Sequence, residues 1–352
     1  MTRNKQKRIY GLDLARCIAL LGMVLVNFRL AMVESSDRTS GWLFSIITAL
    51  EGKASALFVI LAGIGLGIST TDIDWSAAQK KIFPRAIFLF LIGMLNVVIF
   101  PADIIHYYAV YFLLGALCLK LPSPLLLLLI PLLSLTSVFL IDTFNFNTGW
   151  NWQTLTYSDF WTFHGFMRNL WFNGFHPVLP WLAFLIFGIY LSRLSLNTKR
   201  VQRCLLYIGL STGLLSVLLS SQLTPYLNNH SLGWIFATSP VPPTPFYLIA
   251  AGGFATATIG LCLLLYQNFP HLRAINWLIP AGRQTLTLYI FHIILAMGTL
   301  EYLGWLYGQS LSRAVLTALI YFFSAVVFAN IWAKYFRYGL LESVLAGVSK
   351  RI

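Results

Sequence analysis

Charge is what this chain has least of. Only 10% of its 352 residues are Asp, Glu, Lys or Arg, where a soluble domain carries about 25%. Hydrophobic residues make up 58% and the mean hydropathy is +0.76, so there is too little polar surface for a water-solvated fold. Acid is scarcer still, with 11 Asp and Glu against 24 Lys and Arg. Cysteine is sparse as well: Cys17, Cys118, Cys204 and Cys262 all fall within or at the ends of apolar runs. They offer no disulfide framework, and their spacing is not that of a metal site.

Long apolar runs are there instead, several of them reaching the ~20 residues that cross a bilayer. The pattern predicts an all-α polytopic transmembrane helix bundle of about ten spans. They are placed at 11–33, 42–70, 86–101, 104–119, 123–141, 177–192, 204–222, 245–266, 284–300 and 314–333. Arg3, Lys5, Lys7 and Arg8 precede the first span and hold the N-terminus in the cytoplasm under the positive-inside rule. With that alternation, only Arg38, Arg168 and Arg313 fall outside and Arg16, Arg29 and Lys53 fall within spans. The other 18 of the 24 basic residues lie inside, both termini included. The net charge of +13 is therefore accounted for by topology, and nucleic acid is set aside as a partner. The first apolar run is too long for a cleaved signal and no A-x-A site follows it, so it reads as a retained anchor.

The chain divides into one transmembrane helical domain, 1–333, and a tail, 334–352. The tail, "AKYFRYGLLESVLAGVSKRI" from 333 on, mixes basic and apolar residues at helical spacing and is expected to be an amphipathic helix on the cytoplasmic interface. Outer loops are expected at 142–176, rich in Trp, Phe and Asn, and at 223–244, where the prolines of "SPVPPTP" exclude helix. "LAGIGLGIST" has glycines but no preceding strand, so it is no nucleotide loop. Gly63 and Gly67 form instead a G-x-x-x-G pair that lets two membrane helices approach.

Polar residues inside such spans are expensive and point to function. Arg16 and Asn27 are eleven residues apart, almost three turns, and share a face of the first span; Asp13 and Arg16 are three apart and can pair. Asp103 and His106 are also three apart, near the outer end of the fourth span. A carboxylate there would fix the imidazole tautomer and support it as a base. His176 lies at the outer mouth of the sixth span, beside Pro177 and Pro180, and His292 lies near mid-bilayer in the ninth. Asn27, Asp103, His106 and His176 thus collect in the outer half. Arg16, Arg85 and Arg283, with Lys80 and Lys81, collect in the inner half, where a basic mouth suits a phosphorylated donor.

"RIYGLDLARCIALLGMVLVNF", "ASALFVILAGIGLGIS", "DIIHYYAVYFLLGAL", "FHPVLPWLAFLIFGIYLSR" and "GRQTLTLYIFHIIL" stand in the order seen in the transmembrane acyltransferase superfamily. Within it the chain resembles the YeiB-like family and the heparan-α-glucosaminide N-acetyltransferase-like family, and its tail "IWAKYFRYGLLESVLAG" is similar to the YeiB-like ending. The resemblance implies a bundle that passes an acyl group from cytoplasmic acyl-CoA to an acceptor, often a sugar, on the far side. Related acyltransferases have His eleven positions after the Arg matched here by Arg16, but this chain has Asn27. The heparan-type proteins have Asn there and a catalytic His in the following outer loop; "RLAMVESSDRTSGW" contains none. Either another imidazole takes over, His106 being the best placed, or the chain is not an acetyltransferase of that type.

These readings give an inner (plasma) membrane acyltransferase using acyl-CoA, acetyl-CoA foremost, as co-substrate and no metal. His106, oriented by Asp103, would be the base, Asn27 the oxyanion donor, and His176 and His292 further candidates. Arg16, Arg85 and Arg283 would hold the CoA phosphates. A transporter or flippase for a small or lipid-linked substrate fits the same polar stripes and Gly-rich spans, and the resemblance to the YeiB-like family leaves open a non-catalytic membrane scaffold. The acceptor and a homodimeric state stay open.

Overall fold

A computed structural model describes residues 8–33, 41–71, 73–227 and 233–348. Its helices run in chain order as α1 (Tyr10–Met32), α2 (Trp42–Leu50), α3 (Lys53–Thr70), α4 (Trp75–Ile99), α5 (Ile105–Cys118) and α6 (Ser123–Thr143). A small antiparallel hairpin follows, β1 (Trp150–Asn151) with β2 (Thr156–Tyr157). Then come α7 (Phe163–Arg168), α8 (Val178–Leu191), α9 (Lys199–Leu227), α10 (Pro245–Asn268), α11 (Arg273–Gly282), α12 (Thr285–Phe291), α13 (Gly298–Tyr302), α14 (Leu311–Tyr335) and α15 (Leu340–Val348). Wide π-helical turns occupy Asn169–Asn173 and His292–Met297.

Eight helical stretches are long and apolar enough to cross a membrane, and a ninth forms if the segments Phe163–Asn173 and Val178–Leu191, bent by 50°, are one broken span. The remaining expected span, 104–119, is a 14-residue helix. At about 1.5 Å per residue it falls short of the ~30 Å hydrocarbon layer. It starts inside the protein: Phe100, Ala102, Asp103 and Ile104 are buried, with Pro101 the exposed residue of the turn from α4. Two boundaries also move. The third span begins at Trp75 and carries Pro84 inside α4. The seventh runs on to Leu227 with Pro225 inside its last turn. Most of the outer loop after the first span, 34–40, and the last residues, 349–352, lie outside the described residues.

α1 is the axis of the bundle, packed against α3, α10, α11, α12 and α14, while α9 lies along α10, α4 along α5 and α3 along α8. The glycine pair does the work its spacing suggests. A Cβ on Gly63 would overlap the Leu185 carbonyl and the Gly188 Cα, and one on Gly67 would overlap Ser192. Membrane helices lack a hydrophobic drive toward one another, so such backbone proximity, with its van der Waals contact, supplies the attraction. Gly52 breaks α2 from α3 with φ +68°, a backbone conformation that an L side chain resists.

Candidate functional site

α1 delivers three polar groups along one face, as its period requires. Near its start, Asp13 is fully buried and accepts from Arg16 (2.8 Å) and from Arg8 (2.7 and 3.0 Å). A buried carboxylate held by two guanidiniums is satisfied on both oxygens. Arg16 reaches from this pair to the wall of a cavity of about 280 Å³ that Arg85 of α4, Tyr108 of α5, Tyr289 of α12 and Leu345 of α15 also line. Arg283 is elsewhere: its guanidinium donates to the Arg337 carbonyl (2.9 Å) and does not line this cavity. Lys81 is likewise engaged, donating to the Ser69 carbonyl at 2.8 Å.

Further along α1, the Asn27 amide meets the Nε2 of His292, 3.0 Å away. His292 is fully buried, and its Nδ1 faces the Tyr289 carbonyl one turn back. With Nδ1 donating to that carbonyl, Nε2 is left as the acceptor of the amide proton. The Tyr289 phenol lies beside the Asn27 side chain and the Ile104 backbone. Ile104 is followed by the second imidazole: Asp103 accepts from His106 Nδ1 (2.9 Å), from the Ile105 and His106 amides (2.8 and 3.1 Å) and from Asn96 of α4 (2.7 Å). Asp103 and His106 are fully buried rather than near an outer surface, because α5 starts inside the protein. Gly93 has no Cβ to collide with the His106 backbone, so α4 can cross α5 at this point.

His106 stacks against the Tyr107 ring (3.9 Å between centroids), and Tyr107 donates to Asn169 at 2.6 Å. His176 sits at the bend between the π-turn and α8, edge-on to Trp181, its carbonyl accepting from Tyr111 at 2.5 Å. Among the described residues, His106 Nε2, His176 Nδ1 and the Tyr108 hydroxyl are buried without a hydrogen-bond partner. Buried polar atoms rarely stay unpaired, so this layer has room in its bonding pattern for another molecule. Next to it Asn173 accepts from Tyr157 and donates to the Phe146 and Thr148 carbonyls, closing the aromatic loop onto the bundle. In that loop burial raises the Tyr157 phenol's pKa, against the lowering pull of the Arg168 guanidinium.

A second cavity has a volume of about 820 Å³. Ala31 of α1, Phe100 and Ala102 after α4, Thr154 of the hairpin, Ile293 and Glu301 border it. The sequence neighbours of the buried groups divide between the two spaces. Tyr289 and Ile105 face the first cavity, whereas Ile293 and Ala102 face the second. The structure thus brings Asn27, His292, Asp103, His106 and His176 into one connected layer, while Arg16 and Arg85 line the first cavity. Arg283 is left out. Tyr289 and Asn96 belong to the layer but were not among the residues expected. Asn96 in "GMLNVVIF" is a lone amide in an apolar run, and Tyr289 precedes His292 by one helical turn.

Residues 8–231 match the family model of the heparan-alpha-glucosaminide N-acetyltransferase catalytic region. The chain belongs to that family. Residues 188–349 also match a family of unknown function, DUF418, which is the YeiB-like family. Membership makes this a multi-pass membrane protein of an acetyltransferase type. No curated protein matches the chain. Asn27 lies in the acetyltransferase match, whereas His292 lies only in the second one.

Proposed function

We propose that the protein transfers an acetyl group from acetyl-CoA in the Arg16–Arg85 cavity to an acceptor hydroxyl or amine in the Glu301-bordered cavity. One observation carries this reading: the buried Asn27–His292 bond has chain neighbours on two different cavities, Tyr289 lining the first and Ile293 the second. The acetyltransferase family match supports the donor. Arg16 and Arg85 suit the phosphates and the pantetheine amides of the CoA. The thioester then points at the layer.

The steps use groups this chain supplies. The acceptor displaces the Asn27 amide from His292 Nε2, which takes the acceptor's proton as its oxygen or nitrogen attacks the thioester carbonyl carbon. The carbonyl oxygen becomes negative and is met by the Asn27 amide, a donor of a kind typically worth ~2.7–4 kcal/mol in the transition state. The C–S bond then breaks, and the CoA thiolate leaves with the proton that His292 held. His106, clamped by Asp103, is a positioning residue that completes the layer. The loop histidine of heparan-type proteins is thus replaced from the far end of the chain.

The test is acetyl transfer from labelled acetyl-CoA to an amino sugar and a neutral sugar in proteoliposomes. His292→Ala is expected to lower kcat at least 100-fold, the lower end of a general base's usual contribution, with insertion unchanged. Full activity in that variant would remove His292 from the mechanism. Uptake of the sugar without acetylation would favour a transporter.

A further inference from the structure

A groove of about 550 Å³ runs between the first half of α4 and the last half of α5. Phe83, Leu113 and Leu117 line it and are exposed, whereas Ile82 and Pro84 line it and are buried. On a helix apolar enough to cross a membrane, exposed side chains of this kind face lipid. The one charged residue bordering the groove is Lys80. The sequence groups Lys80 with Arg85 at a basic inner mouth. The two are five residues apart on α4, about 140° around the helix, and only Arg85 lines the donor cavity. Lys81 turns to the Ser69 carbonyl. Among the described residues, Lys80 has no hydrogen-bond or ion-pair partner.

The groove is graded along its length. Lys80 is five residues from the start of α4, about 8 Å, a depth from which a lysine reaches the headgroups by snorkelling. Trp75 borders the same end, and an indole favours the headgroup level. Trp75 also borders an adjoining space of about 350 Å³, where Lys120 stands at the end of α5. Among the described residues no acid lines either space, and Asp74, next to Trp75 in sequence, borders neither. From Trp75 to Pro84 the groove follows α4 for about 14 Å. That spans a headgroup and the upper part of one acyl leaflet. Cation and indole thus stand at one end and hydrocarbon at the other.

We infer that this groove binds an anionic phospholipid of the cytoplasmic leaflet. Its phosphate sits beside Lys80, with Lys120 in the same headgroup layer, and one acyl chain lies along Phe83, Leu113 and Leu117. Basic pockets between membrane helices on the cytoplasmic side hold anionic headgroups by this charge complementarity. A zwitterionic lipid suits the groove less, because it would bring its own ammonium toward two lysines. None of the groove's residues lines the donor or the acceptor cavity, so the inference is independent of the proposed acetyl transfer.

The experiment is native mass spectrometry of the full-length protein, delipidated in mild detergent. Phosphatidylglycerol and phosphatidylcholine with the same acyl chains are titrated separately. The wild type is expected to bind the first phosphatidylglycerol at least about fivefold more tightly, the effect of one lysine at an anionic surface. Lys80→Gln removes that preference and leaves phosphatidylcholine binding unchanged, and Lys80→Arg keeps it. Leu117→Trp fills the groove from an exposed position without touching the charge, and it weakens the binding of both lipids. Lys334→Gln removes an exposed lysine that does not border the groove and leaves the preference intact. Equal binding of the two lipids by the wild type would overturn the inference. So would unchanged phosphatidylglycerol binding in both Lys80→Gln and Leu117→Trp, or a loss in Lys334→Gln as large as in Lys80→Gln, which would trace the preference to bulk charge.

Discussion

At the scale of single residues, the two arginines of the inner cavity and the one outside it make a sharp contrast. Arg85 lines the cavity beside Arg16, whereas Arg283 is spent on the Arg337 carbonyl. Hydrogen bonds to charged groups contribute about 1.5–3 kcal/mol. Arg85→Gln is therefore expected to raise the KM for acetyl-CoA roughly 10- to 100-fold while changing kcat less. Arg283→Gln should leave that KM within about threefold. Initial-rate kinetics at varied acetyl-CoA read both. Polar residues inside spans were legible in the sequence because they are rare, but the pairing of Asn27 with His292 was not, since His292 was expected near mid-bilayer and apart from the outer group of Asn27, Asp103, His106 and His176. Arg283 was misplaced because a basic residue at a span start looks the same whether it faces a cavity or a backbone carbonyl. Tyr289 escaped notice for a related reason, since tyrosine is at home at a membrane interface and carries no warning of burial.

At the scale of helices, the α3–α8 crossing depends on glycine at positions 63 and 188, where backbones touch. Gly63→Val should lower stability by about 1–3 kcal/mol, the usual effect of overpacking, read as a lower denaturation midpoint in mild detergent. The tail helix offers a different lever. Glu342 of α15 accepts from the Leu286 and Thr287 amides (2.8 and 3.2 Å) and from the Thr287 hydroxyl (2.5 Å), capping the first turn of α12. Burial nevertheless raises its carboxyl's pKa above the ordinary value, the hydrogen bonds from Thr287 and Leu286 only offsetting it in part. A raised carboxyl binds its proton more tightly docked than free, so docking is firmest below the ordinary carboxylate pKa and weakens as pH rises through the raised value. Hydrogen exchange in α15 is expected to show larger opening at pH 8 than at pH 5, after correction for intrinsic rates, and Glu342→Gln should flatten that difference. The amphipathic pattern of the tail was readable in the sequence. Its docking was not, because a carboxylate capping a helix some 55 residues away in sequence leaves no local trace.

At the scale of the whole molecule, hydropathy sufficed for the architecture because no other fold tolerates so much apolar sequence in lipid. It overstated one span, since α5 is apolar for its full length and only burial by neighbours shows that it starts below the surface. The charge asymmetry makes a separate claim about sidedness. Cys204 is the one exposed natural cysteine, so a Cys204→Ser background keeps the assay clean. In it, Ser158→Cys on the hairpin loop should react with an impermeant maleimide in whole cells. Asn268→Cys at the end of α10 should react only in inside-out vesicles. The reverse pattern would invert the topology and exchange the donor and acceptor sides.

The bond between Asn27 and His292 also has a temporal side. Its partners are 265 residues apart, and ribosomes add roughly 5–20 residues per second, so the amide is made roughly 13–53 s before the ring that receives it. Throughout that interval the first helix sits in lipid, or in the insertion machinery, with an amide that nothing yet satisfies. Premature termination anywhere before the ninth apolar segment strands it there. Nascent chains cut short in this way carry a polar flaw that the finished molecule no longer shows.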